Sequence, residues 1–315
     1  PFSMRRNYQK SPLADQKWDG VIWYAPSIFH GPFAKSLKDS SYCKGYLIIR
    51  DIFPEWAADM GLIGRGVPYY FFKAVANYQY QVADIIGVQT PGNLAYFSDW
   101  SKSPVKDLEV LQNWLGPAAN KRCSIRIENT ILANRKVFVY AGNMGVAQGM
   151  DILLDLAKSM STRTDVGFLF VGRGSEAKHL ANKANALDLK NVLFRDEIVP
   201  YEIPDLYEQR HAGLVALEPR HKSHNIPGKF LTYMQSGLPV LATVNQGNDL
   251  AEIIRTENVG RVCEDNDLNT LKRCAAELLD SLGDDDGLPG RCRSLFQNQF
   301  SVAHTVSNIV AALTK

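Results

Sequence analysis

V-F-V-Y-A-G-N-M-G-V-A-Q-G, residues 137–149, is an apolar run that turns through glycines into a helical pattern at 150–160. The next apolar run is G-F-L-F-V at 167–171. Short apolar runs bounded by glycine read as strands buried on both faces, and two of them joined through a helix lie parallel with a right-handed crossover. The unit recurs in both directions along the chain. Apolar runs at 20–24, 46–49 and 85–88 precede it; runs at 192–194, 212–217 and 239–242 follow, with helical patterns at 175–186 and 268–282. This alternation predicts an α/β protein whose parallel sheets are covered by helices on both faces.

The series breaks around Q-N-W-L-G-P, residues 112–117, which has linker character. Two Rossmann-like domains are expected, 1–112 and 113–297, and then an amphipathic helix at 298–315 packing back toward the first domain. The first series begins in mid-domain without a glycine-rich strand-to-helix turn of its own. The N-terminal domain therefore reads as truncated at its start.

Composition narrows the function classes. With 315 residues, 45% hydrophobic and 22% charged, the chain is ordinary for a globular protein of about two domains. A formal net charge of +2 gives no sign of a nucleic-acid partner. No apolar run reaches the ~18 residues of a spanning helix, and P-F-S-M-R-R has no signal-peptide core. Five scattered cysteines without a CxxC pair point to a reducing, cytoplasmic setting and away from zinc.

Three segments carry anion-binding chemistry. Gly142 and Gly145 let the backbone approach an anion at the start of the following helix; a tight turn with nothing bound has the same appearance. V-G-R-G-S-E, residues 171–176, puts Arg173 at the C-terminal end of a strand, where open α/β sheets bind ligands. S-H-N-I-P-G-K-F-L-T-Y-M-Q-S-G-L-P-V, residues 223–240, is a polar loop opening a helix with Lys229 in its first turn. A lysine there opposes the helix dipole, which points to an anion between the two. All three belong at strand C-termini of one sheet, facing one crevice.

In the first domain R-D-I-F-P-E-W, residues 50–56, leaves a strand with Asp51 as either a cleft-facing carboxylate or a turn cap. The aromatic stretch at 67–80 packs a core or, with Arg5, Arg6 and Lys10, touches anionic lipid. Asp265-Asn266-Asp267 reads as an N-cap cluster, and 283–287 as a solvated acidic loop. No His, Cys or carboxylate set has metal-ligand spacing.

In this order the segments R-D-I-F-P-E-W, Y-A-G-N-M-G-V-A-Q-G, F-V-G-R-G-S-E and K-F-L-T-Y-M-Q-S-G-L-P-V resemble the family 4 glycosyltransferases. These are retaining enzymes of the GT-B fold, two Rossmann-like domains facing a cleft. The likeness is strongest to bacterial O-antigen and capsule enzymes of N-acetylfucosamine-transferase type. The resemblance implies a UDP-sugar donor, no metal or other cofactor, and an acceptor that is a saccharide or a polyprenyl-diphosphate-linked sugar at the inner membrane. It puts the Gly145 N–H, Arg173 and Lys229 on the donor diphosphate, Glu197 and Ile198 on the nucleobase, and Asp51 toward acceptor and reacting sugar. His224, Asn225 and Thr232 fall along the donor sugar and ribose. Many members have glutamates where this chain has His224 and Thr232, and Arg and Lys where it has Asn143 and Gln148. Two rival functions share the pattern: a nucleotide-sugar 2-epimerase, and a non-catalytic nucleotide-sugar-binding subunit.

Overall fold

The computed structural model describes residues 2–102, 106–118, 121–218 and 225–315. The described residues divide into two compact units. The first runs to Asn113 and takes in Asn225 and Ala303–Lys315; the second covers the rest, from Trp114 to Val302.

The first unit is built on a parallel sheet of β1 (Gly20–Ala25), β2 (Lys44–Ile49), β3 (Ile85–Val88) and β4 (Asp107–Val110), in that spatial order. β3 is buried throughout and β2 from its second residue on, as their apolar runs require. β1 differs from the fully buried strand expected at 20–24. It is an edge strand with only Val21, Trp23 and Ala25 turned inward, while Ile22 and Tyr24 are 51% and 60% exposed. The helix Val302–Thr314 lies against this strand, its Leu313 side chain filling the space where Gly20 has no Cβ.

The second unit has six parallel strands: β5 (Lys136–Ala141), β6 (Val166–Val171), β7 (Val192–Arg195), β8 (Ala212–Ala216), β9 (Val240–Thr243) and β10 (Gly260–Cys263). Their order, β10-β9-β8-β5-β6-β7, is that of a doubly wound Rossmann sheet, reversing direction between β5 and β8. Alternate residues feed two cores. Val137 and Val139 face one side with Leu169, Val215 and Phe230; Phe138 and Tyr140 face the other with Phe168, Phe170 and Leu214. Phe138 stacks on Phe168 with centroids 5.3 Å apart, and Phe170 on Phe194 at 4.9 Å.

The acidic stretch at 283–287 is not all loop. The helix Leu268–Asp284 runs into it, and Asp285 pairs with Arg291, which holds its carboxyl below the usual range. Gly283 lies in the last turn of that helix, with open space where a Cβ would stand.

Candidate functional site

The reversal of strand order leaves a crevice outside the C-terminal ends of the second sheet. Two glycine turns build its floor. Beyond β5 the chain passes through Gly142 at φ +140, and beyond β6 through Gly172 at φ +142, a region that L side chains rarely adopt. The turns continue the sheet's pairing: Gly142 N–H donates to the Val171 carbonyl at 2.9 Å, and Met144 N–H to that of Arg173 at 2.7 Å. Gly172 lies so close to Gly142 that a Cβ would stand 2.0 Å from its carbonyl oxygen.

The third wall is the helix Gly228–Ser236, which opens after Pro227 and ends on Gly237 in the left-handed conformation. Its Phe230, Leu231, Tyr233 and Met234 are buried. The Tyr233 ring packs over Gly213 of β8, and its hydroxyl lies 3.1 Å from the carbonyls of Val139 and Leu214. One turn earlier on the helix this seats Lys229 over β5. The Lys229 Nζ sits 3.7 Å from the centroid of the Tyr140 ring and donates to the Tyr140 hydroxyl. Tyr140 in turn donates to the Asn143 carbonyl at 2.6 Å. Burial lowers the Lys229 pKa to about 7 and pushes the tyrosine hydroxyls of Tyr140 and Tyr233 up.

Together these elements enclose a cavity of about 460 Å³. Asn143, Arg173, Glu197, Ile198, Lys229 and Thr232 all line it, so six of the expected site residues converge. Arg173 and Glu197 form an ion pair at 2.9 Å, both largely exposed, so it is an open gate of charge more than a structural staple. The Thr232 hydroxyl donates to the Gly228 carbonyl at 3.3 Å on the exposed side of its helix.

Other expected residues lie elsewhere. Gly145 and Gln148 are absent from the cavity lining, and the Gly145 N–H is taken by the Gln148 side-chain oxygen at 2.9 Å. His224 lies outside the described residues. Asp51 belongs to the first unit, just beyond β2, where Asn225 donates to its carboxylate at 3.1 Å and to the Arg50 carbonyl at 2.8 Å. Asn93 donates to Asn225 in turn, at 2.9 Å. Asp267 caps the helix Leu268–Asp284 by accepting from Thr270 N–H. Among the described residues no three His, Cys, Asp or Glu side chains are grouped to hold a metal ion.

Sequence reasoning passed over Tyr140. The available signal was a polar-tipped aromatic at the end of an apolar run, two residues before Gly142.

Residues 135–281 match the family model described as Glycosyl transferases group 1, a span that contains every cavity residue named above. The chain is 24% identical over 284 residues to the probable glycosyltransferase WbjE of Pseudomonas aeruginosa, covering 82% of this chain and 65% of that protein. It is 20% identical over 266 residues to the putative colanic acid biosynthesis glycosyl transferase WcaI of Escherichia coli K12, covering 78% and 62%. The chain thus spans a little under two thirds of the length of these relatives. Anabaena Alr3699/HepE, solved with UDP and glucose, superposes with a TM-score of 0.72 at 14% identity, over 100% of this chain and 80% of that one. The fold is that of the GT-B glycosyltransferases.

Proposed function

We propose that the protein is a retaining glycosyltransferase that moves a sugar, a hexose or N-acetylhexosamine, from a UDP-sugar to an acceptor hydroxyl. Its setting is the synthesis of a bacterial surface polysaccharide, O-antigen or capsule. The acceptor is a saccharide or a polyprenyl-diphosphate-linked sugar. The observation that carries this reading is the cavity where a half-buried lysine and an exposed arginine face two glycine turns at a strand-order reversal.

In such a transfer the bond between the anomeric carbon and the diphosphate breaks, and negative charge grows on the departing UDP. Lys229, Arg173 and the N-terminus of the helix Gly228–Ser236 stabilise that charge. The glycines let the diphosphate approach the backbone closely. Glu197 and Ile198 hold the nucleobase, and Thr232 supplies a hydroxyl for the ribose in place of a carboxylate. Asn143, Gly145 and Gln148 shape the turn beside the phosphates, and no metal is needed for the charge. Asp51, oriented by Asn225, serves the acceptor and the reacting sugar, and His224 the donor sugar. That HepE was solved with UDP supports the choice of nucleotide.

A peripheral membrane contact on the cytoplasmic face belongs to the same reading. In the first unit Phe2 and Arg5 meet Phe29, Phe71 and Tyr78 around an apolar cavity of about 420 Å³. No helix among the described residues is long and apolar enough to cross a membrane.

The test is incubation with a panel of UDP-sugars and a polyprenyl-diphosphate-linked acceptor, following product and anomeric configuration by NMR. Transfer with retention is expected, and Lys229→Ala should lower kcat/KM by about 10²–10³-fold. Epimerised donor without transfer, or near-normal transfer by both Lys229→Ala and Arg173→Ala, overturns the assignment.

A further inference from the structure

We propose that the Lys229 amine takes up a proton from solvent when a nucleoside diphosphate enters the cavity and returns it when the diphosphate leaves. The proposal rests on the nucleotide reading above and adds a proton to its stoichiometry. The geometry begins with Tyr140. Its only hydroxyl hydrogen is committed to the Asn143 carbonyl, so the lysine nitrogen must be the donor in the bond between them. One N–H satisfies that bond whether the nitrogen is an amine or an ammonium. The remaining positions on the nitrogen are left for the cavity that Lys229 lines.

The surrounding charges do not supply a resident counter-ion. From β5 comes Tyr140, from the helix Ile203–Glu208 Tyr207, and from the lysine's own helix Tyr233; burial pushes all three phenols above their ordinary range, so they stay neutral. From beyond β6 comes Arg173, a cation, and from beyond β7 Glu197, whose carboxylate is engaged by that arginine. Among the described residues no carboxylate lies within ion-pair distance of Lys229. Its electrostatic surroundings are an aromatic ring, a hydroxyl and burial, and burial alone accounts for its lowered pKa of about 7. In the free protein a lysine so placed is therefore mostly neutral amine above neutrality. An arriving diphosphate is the missing counter-ion: it favours the ammonium, the nitrogen lone pair accepts a proton, and no other bond changes.

Calorimetric titration of UDP into the protein at pH 8, in buffers of differing ionisation enthalpy, reads the proton count directly. The phosphates of UDP are already ionised at that pH, so they add nothing to it. Close to one proton should be taken up per UDP bound, and affinity should fall about tenfold between pH 8 and pH 9. Lys229→Arg, whose guanidinium keeps its charge throughout, should bind with no uptake and little pH dependence. UDP binding by the wild type without proton uptake overturns the proposal while leaving the nucleotide site intact. Equal uptake by Lys229→Arg overturns it too, since the proton then lands elsewhere. Absence of UDP binding at pH 7 overturns the nucleotide reading and this inference with it.

Discussion

At the scale of single residues, a methyl group on Gly172 has nowhere to go. It would stand 2.0 Å from the Gly142 carbonyl oxygen, on a backbone at φ +142. Gly172→Ala should therefore cost about 2–4 kcal/mol, lowering the midpoint of thermal unfolding by several degrees. Gly228→Ala, with nothing within 4 Å of its added Cβ, should leave the midpoint unchanged or slightly higher. Equal midpoints for the two variants would contradict the account of the glycine turns. Lys229 makes a second prediction, with a definite sign. Unfolded lysine stays protonated to about pH 10, whereas the folded side chain gives up its proton above about 7. Between those values the unfolded state binds more protons, so stability rises with pH, by at most about 1.4 kcal/mol per unit. Urea unfolding at pH 7, 8 and 9 should show wild type gaining on Lys229→Met; parallel trends would mean that the lysine titrates normally. Sequence made the glycines legible as turns and Lys229 as a cation at a helix start. It pointed to Gly145 over Gly172, and it could not show the lysine buried on Tyr140, because that contact joins residues 89 positions apart.

At the scale of elements, the helix Gly228–Ser236 sits tightly on β8 where Tyr233 covers Gly213. A Cβ on Gly213 would reach the Tyr233 ring at 2.6 Å, so Gly213→Val should lift the helix and displace Lys229 and Thr232 with it. Stability and UDP affinity should drop together, the affinity by at least about tenfold; a destabilised variant that binds UDP normally would contradict the role given to this packing. The central strands were legible because burial on both faces demands an unbroken apolar run. β4 and β10 were not, since D-L-E-V and G-R-V-C are half-buried edges whose polar residues interrupt the pattern. The helix Asp249–Thr256 escaped notice for a different reason: it is only 8 residues long and follows a polar turn. β1 misled in the other direction, being apolar enough for a central strand while carrying Ile22 and Tyr24 on an exposed face.

At the scale of the whole molecule, two chemistries sit on different units. The second unit holds the cationic cavity, and the first carries the apolar one rimmed by Arg5 and by Phe71, which is 58% exposed. If the apolar face meets lipid, vesicles rich in phosphatidylglycerol should sediment the protein. The double change Arg5→Ser with Phe71→Ser should weaken that binding by roughly tenfold or more while leaving UDP affinity alone. Unchanged sedimentation would remove the membrane from the account. The anion-binding logic of the second unit was visible in sequence because glycine turns and helix starts are local features. Which residues actually share a wall depends on strand order, and strand order is written in no single segment. The proposed function requires this cavity to take the diphosphate of a nucleotide-sugar, which a crystal structure of the protein with UDP would reveal. The diphosphate is expected against Gly142 and Gly172 with Lys229 and Arg173 on its oxygens; UDP bound elsewhere, or phosphates more than a hydrogen bond away from Lys229, would contradict the proposed function.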